Sequence, residues 1–201
     1  MAGYRMTTVP SNATEQRVQF ADVRFVFLDR DGVINRKARE GEYVASWKDF
    51  VLLPGVERAI ALLNQSSRKV IVVTNQRGIA LRRYSEAEVA SVHESLRGYL
   101  SSRGAHLDAI YICPHDYGQC TCRKPATGLL EQAFRDFPEA SASNSVMIGD
   151  TESDILAGTR MGMRTVLITD EESSVNEMTA KPTAQARSLL DVVETHFPYR
   201  S

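Results

Sequence analysis

Phe25-Val26-Phe27-Leu28-Asp29-Arg30-Asp31-Gly32 is the stretch from which the fold can be read. Four apolar residues in a row, two aromatic and one β-branched, leave no side for solvent, as expected of a strand buried on both faces of a parallel sheet. The run ends abruptly in two carboxylates and a glycine. Four more runs of this kind follow, at Val70–Val73, Ala109–Cys113, Val146–Ile148 and Thr165–Ile168.

Helical patterns separate them. Val56, Ala59, Ile60 and Leu63 recur at helical spacing after Pro54-Gly55. Val89, Val92, Leu96 and Leu100 form a second stripe, opened by a Ser85/Glu88 capping box and closed by Gly104. His93 lies in that helix without a partner in the pattern and reads as structural or solvated. Leu130, Ala133, Phe134 and Phe137 form a third stripe, and Ile155–Met161 a fourth, between the N-cap candidate Thr151 and Gly162. A final helix is expected over Ala186–Phe197, after a polar loop from Thr169 to Pro182. Strand and helix alternate, so the expected architecture is a doubly wound, Rossmann-like α/β domain over residues 21–201, with residues 1–20 a flexible N-terminal tail.

In an open parallel sheet, ligands bind beyond the carboxyl ends of the strands. Asp29 and Asp31 follow the first strand, and Thr74 and Asn75 the second. Arg123 and Lys124 lie beyond the third, and Gly149-Asp150 follows the fourth, with Asp154 four residues on. Carboxylates gathered in one crevice repel each other and call for a cation. Hard oxygen ligands beside a phosphate site favour magnesium. One Asp can attack phosphorus and another can shuttle the proton, while a hydroxyl and a Lys neutralise the phosphoryl oxygens. An isolated Asp-x-Asp is usually a turn; four elements in chain order, each after a strand, point to phosphoryl transfer.

These segments resemble the four motifs of the haloacid-dehalogenase-like phosphatases: Phe27–Asn35, Val73–Gln76, Arg123-Lys124-Pro125, and Gly149-Asp150 through Asp154. The resemblance implies Asp29 as nucleophile and Asp31 as general acid/base. It implies magnesium on Asp29, Asp150 and the backbone carbonyl of Asp31, and Thr74 and Lys124 on the transferring phosphoryl group. Asp154 is expected to support the metal from behind or to act as the N3 acid of a helix capped by Thr151; both roles are compatible. Gln76, Arg77 and Arg123 are expected with Asn75 around the substrate, Arg123 holding a second phosphate or hydroxyls. The family fold here would carry a small zinc loop and no large cap domain.

The three cysteines fall within ten residues, which argues against a disulfide framework. Cys113-Pro114-His115 and Cys120-Thr121-Cys122 offer three thiols and an imidazole, the ligand set of a closed structural zinc site. Their one-residue spacers are shorter than the common two to four. A disulfide between Cys120 and Cys122, a redox pair or a catalytic thiol fits less well. Zinc here would fix the loop that presents Arg123 and Lys124. This loop resembles two branches of the family, the phosphatases of D-glycero-D-manno-heptose 1,7-bisphosphate and of histidinol phosphate. Asp31–Asn35 and Asn75–Ala80 look more like the heptose branch, the short loop more like the histidinol branch. Arg36–Leu53 is long for a strand-to-helix connection and suits a flap over the site or a plain surface loop; Arg36–Glu42 and Arg77 depart from the family pattern.

A net charge of −1 with no aromatic-interleaved basic patch argues against nucleic acid, and so against a polynucleotide 3′-phosphatase. No apolar run approaches the ~20 residues of a membrane span, and the polar first nineteen residues lack a signal-peptide core. The expectation is a cytoplasmic, monomeric enzyme acting on a small phosphorylated metabolite, with the heptose bisphosphate as the leading substrate and histidinol phosphate as the alternative. A catalytically dead zinc module is the non-enzymatic alternative, disfavoured because every catalytic position carries a usable residue.

Overall fold

The computed structural model describes residues 20–39, 41–169 and 178–197. Six parallel strands form one sheet: β1 (Phe25–Leu28), β2 (Lys69–Asn75), β3 (Ala109–Cys113), β4 (Ser145–Gly149), β5 (Arg164–Ile168) and β6 (Ala184–Ala186), in the order β3-β2-β1-β4-β5-β6. The helices are α1 (Val56–Gln65), α2 (Glu86–Ser101), α3 (Gly128–Asp136), α4 (Glu152–Arg160) and α5 (Leu189–His196).

The alternation of side chains along each strand divides the interior. Val26, Leu28, Val70, Val72, Val146 and Ile148 face one layer, with Ala59 and Ile60 of α1, Leu96 of α2 and Val192 of α5. Phe25, Phe27, Ile71, Val73 and Met147 face the other, with Leu130 and Ala133 of α3 and Ala157 of α4. The unbroken apolar runs thus serve two cores, as a doubly wound sheet requires. The chain order reverses between β1 and its neighbours β2 and β4, and the carboxyl ends of these three strands form the crevice.

The expected capping box opens α2: Glu88 N–H donates to Ser85 Oγ at 3.2 Å and Ser85 N–H to Glu88 Oε2 at 2.7 Å. Three expectations need correcting. The third helix stops at Asp136, and Phe137 caps it. Ala184–Ala186 is a sixth strand, paired to Val166–Ile168, and with only two alanines to bury, no apolar run announced it. The last helix therefore begins at Leu189, where Ser188 Oγ accepts the Asp191 N–H at 3.1 Å. The tail lies outside the described residues except for Phe20, which is buried against His196 and Phe197 and belongs to the core.

No inserted domain interrupts the described residues. The base of the 36–53 segment is clipped to the fold, with Arg36 N–H donating to Val51 O at 2.7 Å and Leu53 N–H to Ile34 O at 2.9 Å. Trp47 stacks on Phe50 and packs against Tyr99 of α2. Beyond this base, Lys37, Ala38 and Arg39 and then Gly41 to Val44 line the pocket at the strand ends, as a flap would.

Candidate active site

β1 ends at Leu28 in the middle of the sheet, and the Asp29 N–H continues the ladder to Ile148 O at 2.9 Å. The Asp29 side chain is thereby fixed at the bottom of a pocket of about 440 Å³. Its Oδ1 meets Lys124 Nζ at 2.8 Å. Lys124 is buried and also reaches Asp154 Oδ1 at 2.6 Å and donates to Val73 O at 2.7 Å. Burial pushes the Asp29 carboxyl up to about 7; Lys124 opposes this, and the charges of Asp154, Asp31 and Asp150 add to it. For Lys124, burial works against the charge, but Asp154 and Asp29 outweigh it and hold the ammonium well above its usual range.

Asp154 is fully buried, and the structure shows the helix-cap role at one oxygen and an ion pair at the other. Oδ2 accepts the Thr151 N–H at 3.1 Å and the Thr151 hydroxyl at 2.6 Å, capping α4, while Oδ1 holds Lys124. Asp150 differs. Its Oδ2 pairs with Lys37 of the flap at 2.9 Å, but Oδ1 is buried with no hydrogen-bond partner among the described residues. Burial raises its carboxyl despite Lys37. Oxygens of Asp29, Asp150 and Asp154 lie within 4.8 Å of one another. An orphaned buried oxygen beside two more carboxylates fits a hard divalent cation.

Asp31 is held from three sides. Arg30 Nη2 donates to both of its oxygens at 2.9 Å, Asn35 Nδ2 to Oδ1 at 2.9 Å, and Gln76 Nε2 to Oδ2 at 3.1 Å. Burial pushes this carboxyl up, but the Arg30 charge and these hydrogen bonds win and hold it below its usual range. Behind this shell, the Arg30 guanidinium is buried, with Nη1 3.3 Å from His93 Nε2, and Tyr84 OH donates to Gln76 Oε1 at 2.6 Å. His93 is thus a buried member of the site's support. The signal for it was its place among Val89, Val92 and Leu96 on the apolar side of α2; Arg30, flanked by two aspartates, signalled itself only by position. Nothing in the pattern singled out Lys37 or Tyr84, and Asn35 entered only as the last residue of the first motif.

Thr74 is buried, and its hydroxyl accepts Gln76 Nε2 at 3.0 Å. Asn75 lines the pocket, and its amide also clamps the backbone that presents Lys124: Nδ2 donates to Lys124 O and Oδ1 accepts the Lys124 N–H, both at 3.0 Å. Arg77 pairs with Asp116, and Arg77 and Arg123 line the pocket with Gln76 and Lys124.

The sulfur and nitrogen cluster assembles at the end of β3 and in the loop that follows. Cys120 Sγ lies 3.5 Å from Cys113 Sγ and 3.3 Å from Cys122 Sγ; His115 Nδ1 lies 3.7 and 3.3 Å from Cys113 and Cys122. A tetrahedral zinc site would set sulfurs about 3.8 Å apart and sulfur and nitrogen about 3.5 Å apart. The thiols are free of disulfides. Burial, with Cys120 and Cys113 as neighbours, pushes the Cys122 thiol up to about 12. Without a cation, the three sulfurs cannot all ionise.

A family model described as HAD-hydrolase-like matches residues 121–192. A D-glycero-alpha-D-manno-heptose-1,7-bisphosphate 7-phosphatase of Mycobacterium tuberculosis is 40% identical over 131 residues, covering 65% of this chain and 68% of the relative. A D-glycero-beta-D-manno-heptose-1,7-bisphosphate 7-phosphatase of Vibrio cholerae is 37% identical over 177 residues, covering 84% and 89%. Among solved structures, the D,D-heptose 1,7-bisphosphate phosphatase of B. bronchiseptica, complexed with magnesium and phosphate, superposes with a TM-score of 0.79 at 28% identity, covering 86% of this chain and 97% of that one. With such identity across most of both chains, and strand-end carboxylates gathered around a buried lysine, this chain belongs to the haloacid-dehalogenase-like phosphatases, in the family of the D-glycero-D-manno-heptose-1,7-bisphosphate 7-phosphatases.

Proposed function

We propose that the protein is a magnesium-dependent phosphomonoesterase that removes the 7-phosphate of D-glycero-D-manno-heptose 1,7-bisphosphate through an aspartyl-phosphate on Asp29. The observation that carries the chemistry is the 2.8 Å contact of Asp29 with Lys124 at the floor of a pocket shared with Asp31 and Thr74. The choice of substrate is supported by the names of the relatives.

Asp29, Asp150 and the Asp31 backbone carbonyl would hold Mg²⁺, which supplies positive charge against the phosphate and the clustered carboxylates. Lys124 and the Thr74 hydroxyl steady the phosphoryl oxygens while Asp29 attacks phosphorus in line. Asp31 gives its proton to the departing alkoxide, then takes one from the water that cleaves the aspartyl-phosphate. Arg30, Asn35 and Gln76 keep Asp31 ionised in the free protein. The arriving phosphate raises its proton affinity, since a nearby like charge disfavours the ionised form. Asn75 fixes the Lys124 backbone during these steps. Cys113, His115, Cys120 and Cys122 would hold a structural zinc ion and so stiffen the loop leading to Arg123, and Arg123 meets the substrate's other end.

The same reading makes it a cytoplasmic monomer. No described helix is long and apolar enough to cross a membrane. Among the described residues Val51 and Tyr117 are the exposed large hydrophobics.

The test is phosphate release with magnesium from both anomers of heptose 1,7-bisphosphate and from histidinol phosphate. A far higher kcat/KM on a heptose bisphosphate is expected, with turnover abolished in Asp29→Asn. Preference for histidinol phosphate would overturn the substrate and leave the chemistry standing.

A further inference from the structure

Tyr117 sits on the cysteine-bearing loop with 67% of its surface exposed. Its ring is nevertheless occupied. The guanidinium carbons of Arg77 and Arg123 lie 4.4 and 4.5 Å from its centroid. The two arginines come from different places, Arg77 just after β2 and Arg123 just before Lys124. The neighbouring Asp116 takes the Arg77 Nε–H and, through the same Oδ1, its own chain's Tyr117 N–H at 2.7 Å.

Two guanidiniums on one ring repel each other. The ring face and the Asp116 carboxylate offset that repulsion, but they leave donors unanswered. Arg123 Nε and Nη1 are buried with no hydrogen-bond partner among the described residues. Buried donors of a charged group left unmatched are costly, and a ligand acceptor removes the cost. Both arginines line the pocket that has Asp29 and Lys124 at its floor. The reacting phosphoryl group has Lys124 and Thr74, so the acceptor beside Tyr117 is a second anion on the same substrate.

We propose that Tyr117 is a positioning residue that holds Arg77 and Arg123 as a paired clamp for the second phosphate of a bisphosphorylated sugar. The proposal rests on the bisphosphate reading above. Arg77 adds a second guanidinium beside that of Arg123, and Tyr117 links the clamp to the cysteine loop. Discrimination against monophosphates is therefore set partly by a residue that touches no reacting atom.

The experiment compares kcat/KM on heptose 1,7-bisphosphate with that on p-nitrophenyl phosphate, which has no second anion. In Tyr117→Ala the ratio of the two should fall about tenfold, the scale of losing two cation–π contacts. Tyr117→Phe keeps the ring face and should restore the ratio. A ratio unchanged in Tyr117→Ala, or lowered equally in Tyr117→Phe, overturns the proposal. Tyr117 is exposed, so its loss does not open the core. If the wild-type protein ignores heptose 1,7-bisphosphate, the substrate reading fails separately. The clamp is then judged by inhibition of p-nitrophenyl phosphate hydrolysis. Ribose 1,5-bisphosphate should inhibit wild type about tenfold more tightly than ribose 5-phosphate, and Tyr117→Ala should close that gap. No gap in wild type, or a gap that survives in Tyr117→Ala, overturns the clamp.

Discussion

Gly32→Ala adds one methyl group and should disable the site. Gly32 has φ +93°, and a Cβ there would lie 2.2 Å from Asp150 Oδ2 and 2.4 Å from Asp150 Cγ. An L-residue in that backbone region costs about 1–2 kcal/mol, and forced overpacking about 1–3 kcal/mol more. The carboxylate must retreat by roughly 1 Å to reach ordinary contact distance. That carboxylate is the proposed magnesium ligand with the free buried oxygen, and magnesium tolerates little deviation from its short octahedral bonds. A misplacement of that size costs about a hundredfold in rate. The expected result is a folded protein about 2–5 kcal/mol less stable in urea, with kcat/KM down about a hundredfold and a higher half-saturating magnesium concentration, excess metal restoring part of the activity. If kcat/KM stays within about threefold and the magnesium dependence is unmoved, Asp150 is not a metal ligand held against this turn.

Lys124→Met leaves Asp29 and Asp154 as buried carboxylates without their cation; urea denaturation should show a loss of about 3–5 kcal/mol, and phosphate release should vanish. Metal analysis of the purified protein should find one zinc per chain, and Cys122→Ser should lose it and melt earlier; a protein free of zinc but equally stable would remove the structural ion from the account. His93 titrates at about 4 instead of 6.5, because burial and the Arg30 charge disfavour its cation and Asp31 only partly compensates. Between those values the unfolded chain takes up a proton that the folded one refuses, so this contribution is intact above pH 6.5 and is lost as pH falls towards 4, by about 3 kcal/mol. Denaturation of His93→Gln against pH should lack that part of the acid loss, and identical profiles would contradict the buried imidazole.

The sequence by itself determined five of the six strands and singled out the proposed reacting groups. A strand buried on both faces has no polar position to spare, so Phe25–Leu28, Val70–Val73 and Val146–Ile148 declare themselves as apolar runs, and the carboxyl edge falls at the first charged residue after each. Asp29, Asp31, Lys124 and Asp150 could be picked out because phosphoryl transfer demands those residue types at those strand ends, and Ser85/Glu88 because a capping box is local. What only the tertiary structure decided are the pairings between segments distant in the chain. Asn75 turns to the Lys124 backbone, His93 backs Arg30 behind Asp31, and Lys37 reaches Asp150 from the flap. Tyr117 collects two arginines from separate loops. β6 escaped notice for a related reason: it is three residues long and brings only two small side chains to the core beside β5, too little to mark a strand locally. Periodicity and capping act within a few residues and leave a trace in the sequence. A contact between distant residues leaves none until the chain has closed around it.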